Sequence, residues 1–132
     1  MKTALYIKVV AGKGRAVFST EAIPASALIE ECPLCIIPGN DNHLLSQTTL
    51  VDYFFHFEKE KNELAIALGF GSLYNHAVHP NAAYEIDQKD RCMRIFALAD
   101  IPAGTEICFN YSGEPGNAFK EWFEARGMKI IS

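Results

Sequence analysis

Long hydrophobic runs, blocks of like charge and a recognisable leader are all missing from this sequence of 132 residues. No apolar stretch approaches the roughly 20 residues that a helix needs to cross a bilayer, and Met1-Lys2-Thr3 opens no signal peptide. We therefore expect a protein that works inside a cell, in the nucleus or the cytoplasm, without membrane attachment. The formal net charge is -4 and no basic block is present, so a basic polypeptide is a better partner than nucleic acid.

The chain has four cysteines, too few for the dense framework of a small disulfide-rich protein. Cys32 and Cys35 have the C-x-x-C spacing of a metal or redox site, but no second pair or histidine pair completes it. Because structural zinc sites normally use four ligands, we interpret these residues as free thiols and predict no metal. A redox or metal protein remains an alternative, for which Cys32→Ser would abolish function.

The composition and the pattern of short strands indicate one mainly β domain with little helix. Hydrophobic residues make up 49% and charged residues 21% of the chain, as in ordinary globular proteins. Runs of β-branched and aromatic residues between glycines and prolines predict the strands. These strands are 4–10, 15–19, 28–37, 82–86, 92–97 and 105–111, of which 82–86 and 92–97 form a hairpin.

Three other segments have different patterns. Residues 38–43 have the composition of a loop, whereas the aromatic-rich segment 48–57 is compatible with either helix or strand. Residues 117–126 predict a short helix with Asn117 as N-cap. Three aromatic residues fall on one face of that helix: Phe119, Trp122 and Phe123.

The stretch Gly69–Asn81, G-F-G-S-L-Y-N-H-A-V-H-P-N, concentrates residues with special backbone and hydrogen-bonding properties. It contains two glycines, two asparagines, two histidines and a proline directly behind an apolar run. A turn of this composition between two elements is common, and so is a binding site. The motifs in the rest of the chain favour a binding site over a simple turn.

Three segments together resemble the SET-domain family of protein lysine methyltransferases. They are Gly12-Lys13-Gly14-Arg15, the N-H-x-x-x-P-N spacing from Asn75 to Asn81, and the strand Glu106–Tyr111, in that order. The resemblance covers about residues 6–111 and is strongest to minimal, free-standing proteins of viral type. It implies a single SET domain over residues 1–132, with a core of several short sheets, a C-terminal pseudoknot and a helical tail over about 112–132. It also makes a homodimer plausible.

The resemblance implies transfer of a methyl group from S-adenosylmethionine to the side-chain amine of lysine, in a histone tail or another basic protein. Tyr111 matches the catalytic tyrosine of the family. The residues implied to bind the cofactor are Gly12, Lys13, Gly14, Arg15, Asn75, His76, Tyr111 and Trp122. The residues implied to line the lysine channel are Tyr53, Tyr84 and Phe109, although plain core packing is an equal alternative for Tyr53.

Two positions depart from the family pattern and motivate a second hypothesis. Ala77 replaces the serine that usually follows the asparagine–histidine pair, and Asn110 replaces the aspartate that usually precedes the tyrosine. A catalytically silent SET module that binds a peptide or a partner protein is therefore the alternative function. His43 and His79 are interpreted as surface residues.

Overall fold

The computed structural model describes residues 4–111, so the predicted tail helix and Trp122 lie outside the described residues. Strands dominate this part of the chain, as predicted. The strands are β1 (Leu5–Val10), β2 (Gly14–Ser19), β3 (Leu28–Ile37), β4 (Phe54–His56), β5 (Leu64–Ala67), β6 (Asn75–His76), β7 (Ala82–Asp87), β8 (Cys92–Ala97) and β9 (Cys108–Phe109). The helices are α1 (Gly39–Leu45) and two 3₁₀ turns, Thr49–Tyr53 and Lys59–Lys61. No helix among residues 4–111 is long and apolar enough to cross a membrane.

The strands form three sheets around one core. β1 and β2 pair as an antiparallel hairpin, and a five-stranded sheet has the order β4-β5-β3-β8-β7. The third sheet is a parallel pair of β6 and β9. The core between them contains fully buried side chains from all three sheets, among them Val17, Met93, Ile95 and Phe109.

The central strand β3 changes partner along its length, and its proline sits at the change. Residues 28–33 pair with β8, whereas residues 34–37 pair with β5. Proline has no N–H to donate to a ladder, so it is tolerated best where pairing is interrupted. Pro33 lies at that point, and its carbonyl oxygen accepts a hydrogen bond from the Leu68 N–H at 2.9 Å. The predicted strand 28–37 is therefore confirmed despite its proline.

The loop predicted at 38–43 is wrong, because helix α1 occupies Gly39–Leu45. Asp41 lies in its first turn, where a negative charge stabilises the helix N-terminus. The Asn42 amide then donates to the Asn62 carbonyl oxygen at 2.9 Å and its oxygen accepts from Ser46 at 2.8 Å. One tertiary bond, to Asn62, and one local bond, from Ser46, thus stabilise a helix that local composition does not favour.

The aromatic-rich segment 48–57 contains both a helical turn and a strand, the two structures that its sequence allowed. A 3₁₀ turn covers Thr49–Tyr53 and β4 follows directly. The Thr48 hydroxyl caps the turn by accepting from the Leu50 N–H at 3.2 Å. The turn therefore delivers Tyr53 to the start of a strand whose Phe55 is buried in the core.

The strand predicted at 105–111 is shorter than expected. Ile107 bridges Val17 of β2, and only Cys108–Phe109 then form β9 against β6. Because the segment changes partner after one residue, no continuous ladder forms over its full length. The segment therefore contacts the β1–β2 hairpin through Ile107 and β6 through Cys108–Phe109.

Candidate active site

The first and third motif segments meet at the side chain of Asn75 in β6. Its amide nitrogen donates to the Arg15 carbonyl oxygen at 3.1 Å and to Glu106 Oε2 at 2.7 Å. Lys13 Nζ donates to the other oxygen of Glu106 at 2.8 Å, and these two residues are 93 positions apart in sequence. Segments separated by most of the chain therefore form one polar cluster, made of Lys13, Asn75 and Glu106.

The charges in this cluster are mutually stabilised. Burial pushes the pKa of Glu106 upward, but hydrogen bonds from Lys13 and Asn75 outweigh it and leave the pKa below its ordinary value of 4.5. The hydrogen bond to Glu106 in turn raises the pKa of Lys13. Both groups are charged at neutral pH, so the cluster presents an ammonium, a carboxylate and an amide together.

The turn between β1 and β2 is open to solvent, and its glycines are required by the backbone. Gly12 and Gly14 have φ of 82° and 84°, a region that other residues rarely adopt. A Cβ on either would meet no heavy atom within 4 Å, so packing does not exclude a side chain there. Residues 11–15 are exposed, which leaves this face of the cluster accessible to a ligand.

Tyr111 is held at both its backbone and its hydroxyl. Its N–H donates to His76 Nδ1 at 3.1 Å, and its carbonyl oxygen accepts from the Tyr84 hydroxyl at 2.7 Å. Its own hydroxyl donates to the Tyr74 carbonyl oxygen. The side chain is nevertheless 45% exposed, so the ring is fixed but accessible. His76 thus holds the backbone of Tyr111 by a hydrogen bond, and the two ring centroids lie 5.3 Å apart.

The three residues predicted to line a lysine channel lie around Tyr111, and the structure adds two more rings. Phe109 is fully buried, with its ring centroid 5.0 Å from Tyr84 and 5.9 Å from Tyr111. Tyr53 is half-buried. The pKa of Tyr111 is raised mainly by burial, and Tyr53 is close enough to add to this effect. Phe55 and Tyr74 complete the cluster by packing on Phe109.

Sequence reasoning missed the contributions of Phe55, Tyr74 and Glu106. Phe55 lies within the aromatic-rich segment 48–57, and Tyr74 directly precedes Asn75, so proximity to these segments is the available signal. Glu106 enters the sequence prediction only as the first residue of the strand Glu106–Tyr111. Its role depends on Lys13 and Asn75 being brought to it by the fold, which no local pattern records.

The two departures from the family pattern leave the backbone arrangement in place. The Ala77 N–H donates to the Phe109 carbonyl oxygen at 3.1 Å and extends the β6–β9 pairing by one hydrogen bond. Asn110 is half-buried between β9 and Tyr111. His43 and His79 are exposed, as predicted.

The C-x-x-C residues have different environments. Cys32 is buried and Cys35 is exposed on β3, because residues three apart in a strand point to opposite faces. Both are free thiols. Among residues 4–111, no group of three or more histidine, cysteine, aspartate or glutamate side chains is placed to hold a metal ion.

Comparison with known proteins identifies the family. A family model described as SET domain matches residues 14–112. A histone-lysine N-methyltransferase of Schizosaccharomyces pombe, specific for lysine 37 of histone H3, is 29% identical over 124 residues. That match covers 94% of this chain and 80% of the relative.

Solved structures agree with this assignment. A proposed histone methyltransferase of Plasmodium falciparum is 30% identical, with a TM-score of 0.66 over 84% of this chain and 95% of that one. The Neurospora SET-domain protein DIM-5, a histone lysine methyltransferase, has a TM-score of 0.66 at 21% identity, over 81% of this chain and 51% of that one, and supports the fold. The predicted enzyme class, a protein-lysine methyltransferase, is confirmed at the level of family and relative. The chain therefore belongs to the SET-domain family, as its three sequence segments predicted.

Proposed function

We propose that this protein transfers a methyl group from S-adenosylmethionine to the side-chain amine of a lysine in a basic protein, with a histone tail as the substrate. The observation that carries the proposal is the parallel pairing of β6 with β9, which puts the polar cluster and Tyr111 side by side. The histone as substrate is proposed from the relatives, whose names specify histones.

The polar cluster fits the amino-acid part of the cofactor. S-adenosylmethionine carries a carboxylate and an ammonium, and it supplies a methyl group on a sulfonium. Lys13 and Glu106 offer one charge of each sign, and the Asn75 amide can both donate and accept. We propose that these side chains, with the backbone of Gly12 and Gly14, bind the cofactor, and that Arg15, His76, Tyr111 and Trp122 contribute as the family resemblance implies.

The aromatic cluster fits a lysine that must become a neutral amine before it can react. Apolar walls disfavour an ammonium and lower the pKa of a lysine that enters them. The faces of the same rings attract the methylated cation that results. We propose that Tyr53, Tyr84 and Phe109 form this channel, with Tyr84 and Phe109 limiting how many methyl groups fit.

Tyr111 is proposed to orient the reacting amine and not to act as a strong base. Burial raises the pKa of its hydroxyl above 10, so the hydroxyl is protonated at neutral pH. Because this hydroxyl donates its one proton to the Tyr74 carbonyl oxygen, its own oxygen can accept from an N–H of the amine, and a fixed acceptor beside the transferring methyl contributes through alignment. The net charge of -4 favours the approach of a basic tail.

Transfer of labelled methyl groups to a panel of histones and basic proteins tests the proposal. Wild type is compared with Tyr111→Phe, and Tyr6→Phe is the matched control because Tyr6 stacks on Phe18 in the β1–β2 hairpin. We expect label on lysine, a loss of about a hundredfold or more in Tyr111→Phe, and no loss in the control. Equal rates in Tyr111→Phe and wild type would refute the role of Tyr111.

The departures at Ala77 and Asn110 favour a second candidate, a silent SET module that binds a peptide or protein. Calorimetry with S-adenosylmethionine separates the two functions. The enzyme binds the cofactor, and Asn75→Ala weakens that binding. A folded wild type without measurable cofactor binding or transfer is the result that supports the silent module.

A further inference from the structure

Glu30 of β3 holds the loop that leads into β6. Its Oε1 accepts a hydrogen bond from the Tyr74 hydroxyl at 2.8 Å, and its Oε2 accepts one from the Phe70 N–H at 3.0 Å. One carboxylate therefore fixes both the start and the end of the loop. Neither contact is part of the motifs that identify the family in this sequence.

The loop is shaped around this carboxylate. Gly69 has a φ of +66°, and a Cβ there would come within 2.5 Å of Glu30 Oε2. The groups that donate to the carboxylate are a backbone amide and a phenol, and neither is a cation. Hydrogen bonds to an ionised acceptor are stronger than those between neutral groups, so they hold the loop firmly.

Tyr74 connects Glu30 to Tyr111. Its ring is 1% exposed and packs on Phe109 with centroids 5.2 Å apart. Its hydroxyl is fixed by Glu30, and its carbonyl oxygen is the acceptor for the Tyr111 hydroxyl. A rigid, buried ring fixed at its far end leaves little freedom to the carbonyl at its near end. The next residue, Asn75, carries the polar cluster.

We propose that Glu30 is a positioning residue for Tyr111, acting through the Tyr74 hydroxyl and carbonyl. The proposal rests on the proposed function, because it concerns the orientation of the hydroxyl that aligns the substrate amine. Glu30 itself touches neither Tyr111 nor the polar cluster in the contacts described above. Its effect on the reaction is therefore indirect and passes through one hydrogen-bonded residue.

Three variants and their combination test the path. Glu30→Gln removes the charge, Tyr74→Phe removes only the hydroxyl, and Glu31→Gln makes the same change one residue away, in a side chain that pairs with Arg94. We expect the single-turnover transfer rate to fall about tenfold in the first two and to stay unchanged in the third. Because both changes weaken the hydrogen bond between Glu30 and Tyr74, the double variant Glu30→Gln/Tyr74→Phe loses less than the product of the two single losses. A double variant that loses the product of the two single losses would contradict the path.

A readout that needs no activity separates positioning from general stability. In protein with ¹³Cζ-labelled tyrosine, the Tyr111 resonance, assigned by its absence in Tyr111→Phe, reports on the hydrogen bond of its hydroxyl. We expect Glu30→Gln and Tyr74→Phe to move this resonance and its titration midpoint, whereas Glu31→Gln leaves both in place.

The outcomes distinguish this proposal from the proposed function. A folded Tyr74→Phe whose Tyr111 resonance and transfer rate equal those of wild type overturns the positioning role, even if Glu30→Gln does not fold. A Tyr111 resonance that moves in the two variants, when the wild-type protein transfers no methyl group, supports the hydrogen-bond path and contradicts the enzyme. A lower melting temperature with an unmoved resonance assigns Glu30 a structural role only.

Discussion

At the scale of single residues, Asn81 shows how one amide holds two distant segments together. Its nitrogen donates to the Glu106 carbonyl oxygen at 2.8 Å, and its oxygen accepts from the Cys108 N–H at 2.9 Å. Both partners belong to the segment that carries Tyr111. The asparagine that ends the N-H-x-x-x-P-N spacing thus holds the segment that carries Tyr111 in place by two hydrogen bonds.

Asn81→Asp tests this role of Asn81, because it keeps the acceptor for Cys108 and replaces the donor to Glu106 with an oxygen. We expect the free energy of unfolding to fall by about 1–3 kcal/mol, since two acceptors then face each other in a half-buried place. Chemical denaturation measures the change. The control Asn40→Asp, in the exposed first turn of α1, should leave stability unchanged or slightly raised. Equal losses of unfolding free energy in Asn81→Asp and Asn40→Asp would contradict this role of Asn81.

Tyr84 holds the backbone of Tyr111, and its burial gives a second residue-scale prediction. Burial raises the pKa of Tyr84 to about 12, from an ordinary value of 10. Because the pKa of Tyr84 is higher in the folded chain, the stabilisation that this residue provides is present below pH 10 and is lost as the pH rises toward 12. We therefore expect the difference in unfolding free energy between wild type and Tyr84→Phe to shrink over that range.

Denaturation at a series of alkaline pH values measures this difference, with Tyr6→Phe as the control. Below pH 10, Tyr84→Phe should also lose about 1 kcal/mol, because the Tyr111 carbonyl loses its donor. A difference that does not change with pH would show that Tyr84 titrates alike in the folded and unfolded chains.

The site was predictable from the sequence where a residue and its role are recorded in a local motif. Asn75, His76 and Tyr111 carry such motifs, and in the structure Asn75 bonds to Glu106 and His76 accepts from the Tyr111 N–H. Glu30 could not be found in this way. Its partners Phe70 and Tyr74 lie 40 and 44 positions away, and only the packing of the loop on β3 pairs them.

At the scale of elements, the tight loop between β5 and β6 depends on Gly71. The loop packs directly on the central sheet, so a Cβ at Gly71 would come within 2.5 Å of the Ala67 Cβ and 2.9 Å of the Cys32 sulfur. These are core atoms with little freedom to move. Gly71 therefore allows the loop to lie close enough for Glu30 to reach Tyr74.

Gly71→Ala is expected to lower the free energy of unfolding by about 1–3 kcal/mol through overpacking. It should also slow methyl transfer, because the loop shifts Tyr74. Denaturation and the transfer assay measure the two effects.

Gly104→Ala is the comparison for Gly71→Ala. The φ of +78° makes a side chain at Gly104 strained, but no atom lies within 4 Å of the added Cβ. The Gly104→Ala variant should lose about 1 kcal/mol and keep its transfer rate. Slowed transfer in Gly104→Ala as well would argue against a specific effect of the loop.

Regular elements were predictable, and irregular ones were not. The hairpin of β7 and β8 and the strand β3 follow from runs of strand-forming residues. Helix α1 was missed because its stability comes from Asn42 and Asn62, which local composition cannot pair. The strand at 105–111 was overestimated because each of its parts pairs with a different neighbour.

At the scale of the whole molecule, the ion pair of Lys13 and Glu106 joins the first hairpin to the C-terminal segment of the core. The lowered pKa of Glu106 means that its contribution to stability is present above about pH 4.5 and is lost as the pH falls further. We expect wild type to be more stable than Glu106→Gln at neutral pH and the difference to disappear on acidification.

Denaturation of both proteins across acidic pH measures this difference. Lys13→Gln supplies the control, since without the ammonium the pH dependence contributed by Glu106 should be smaller. A difference that persists unchanged at acidic pH would show that Glu106 stabilises the fold without its charge. Homodimerisation stays a prediction from the resemblance, and a location in the nucleus or the cytoplasm stays a prediction from the sequence.

The central claim is that the fold brings the polar cluster and Tyr111 together to transfer methyl groups to lysine. The most direct measurement is mass spectrometry of histones incubated with the full chain and isotopically labelled S-adenosylmethionine. The account predicts labelled methyl on a lysine side-chain amine, absent with Tyr111→Phe and retained with Tyr6→Phe. A folded wild-type protein that neither binds the cofactor nor labels any lysine would contradict the account.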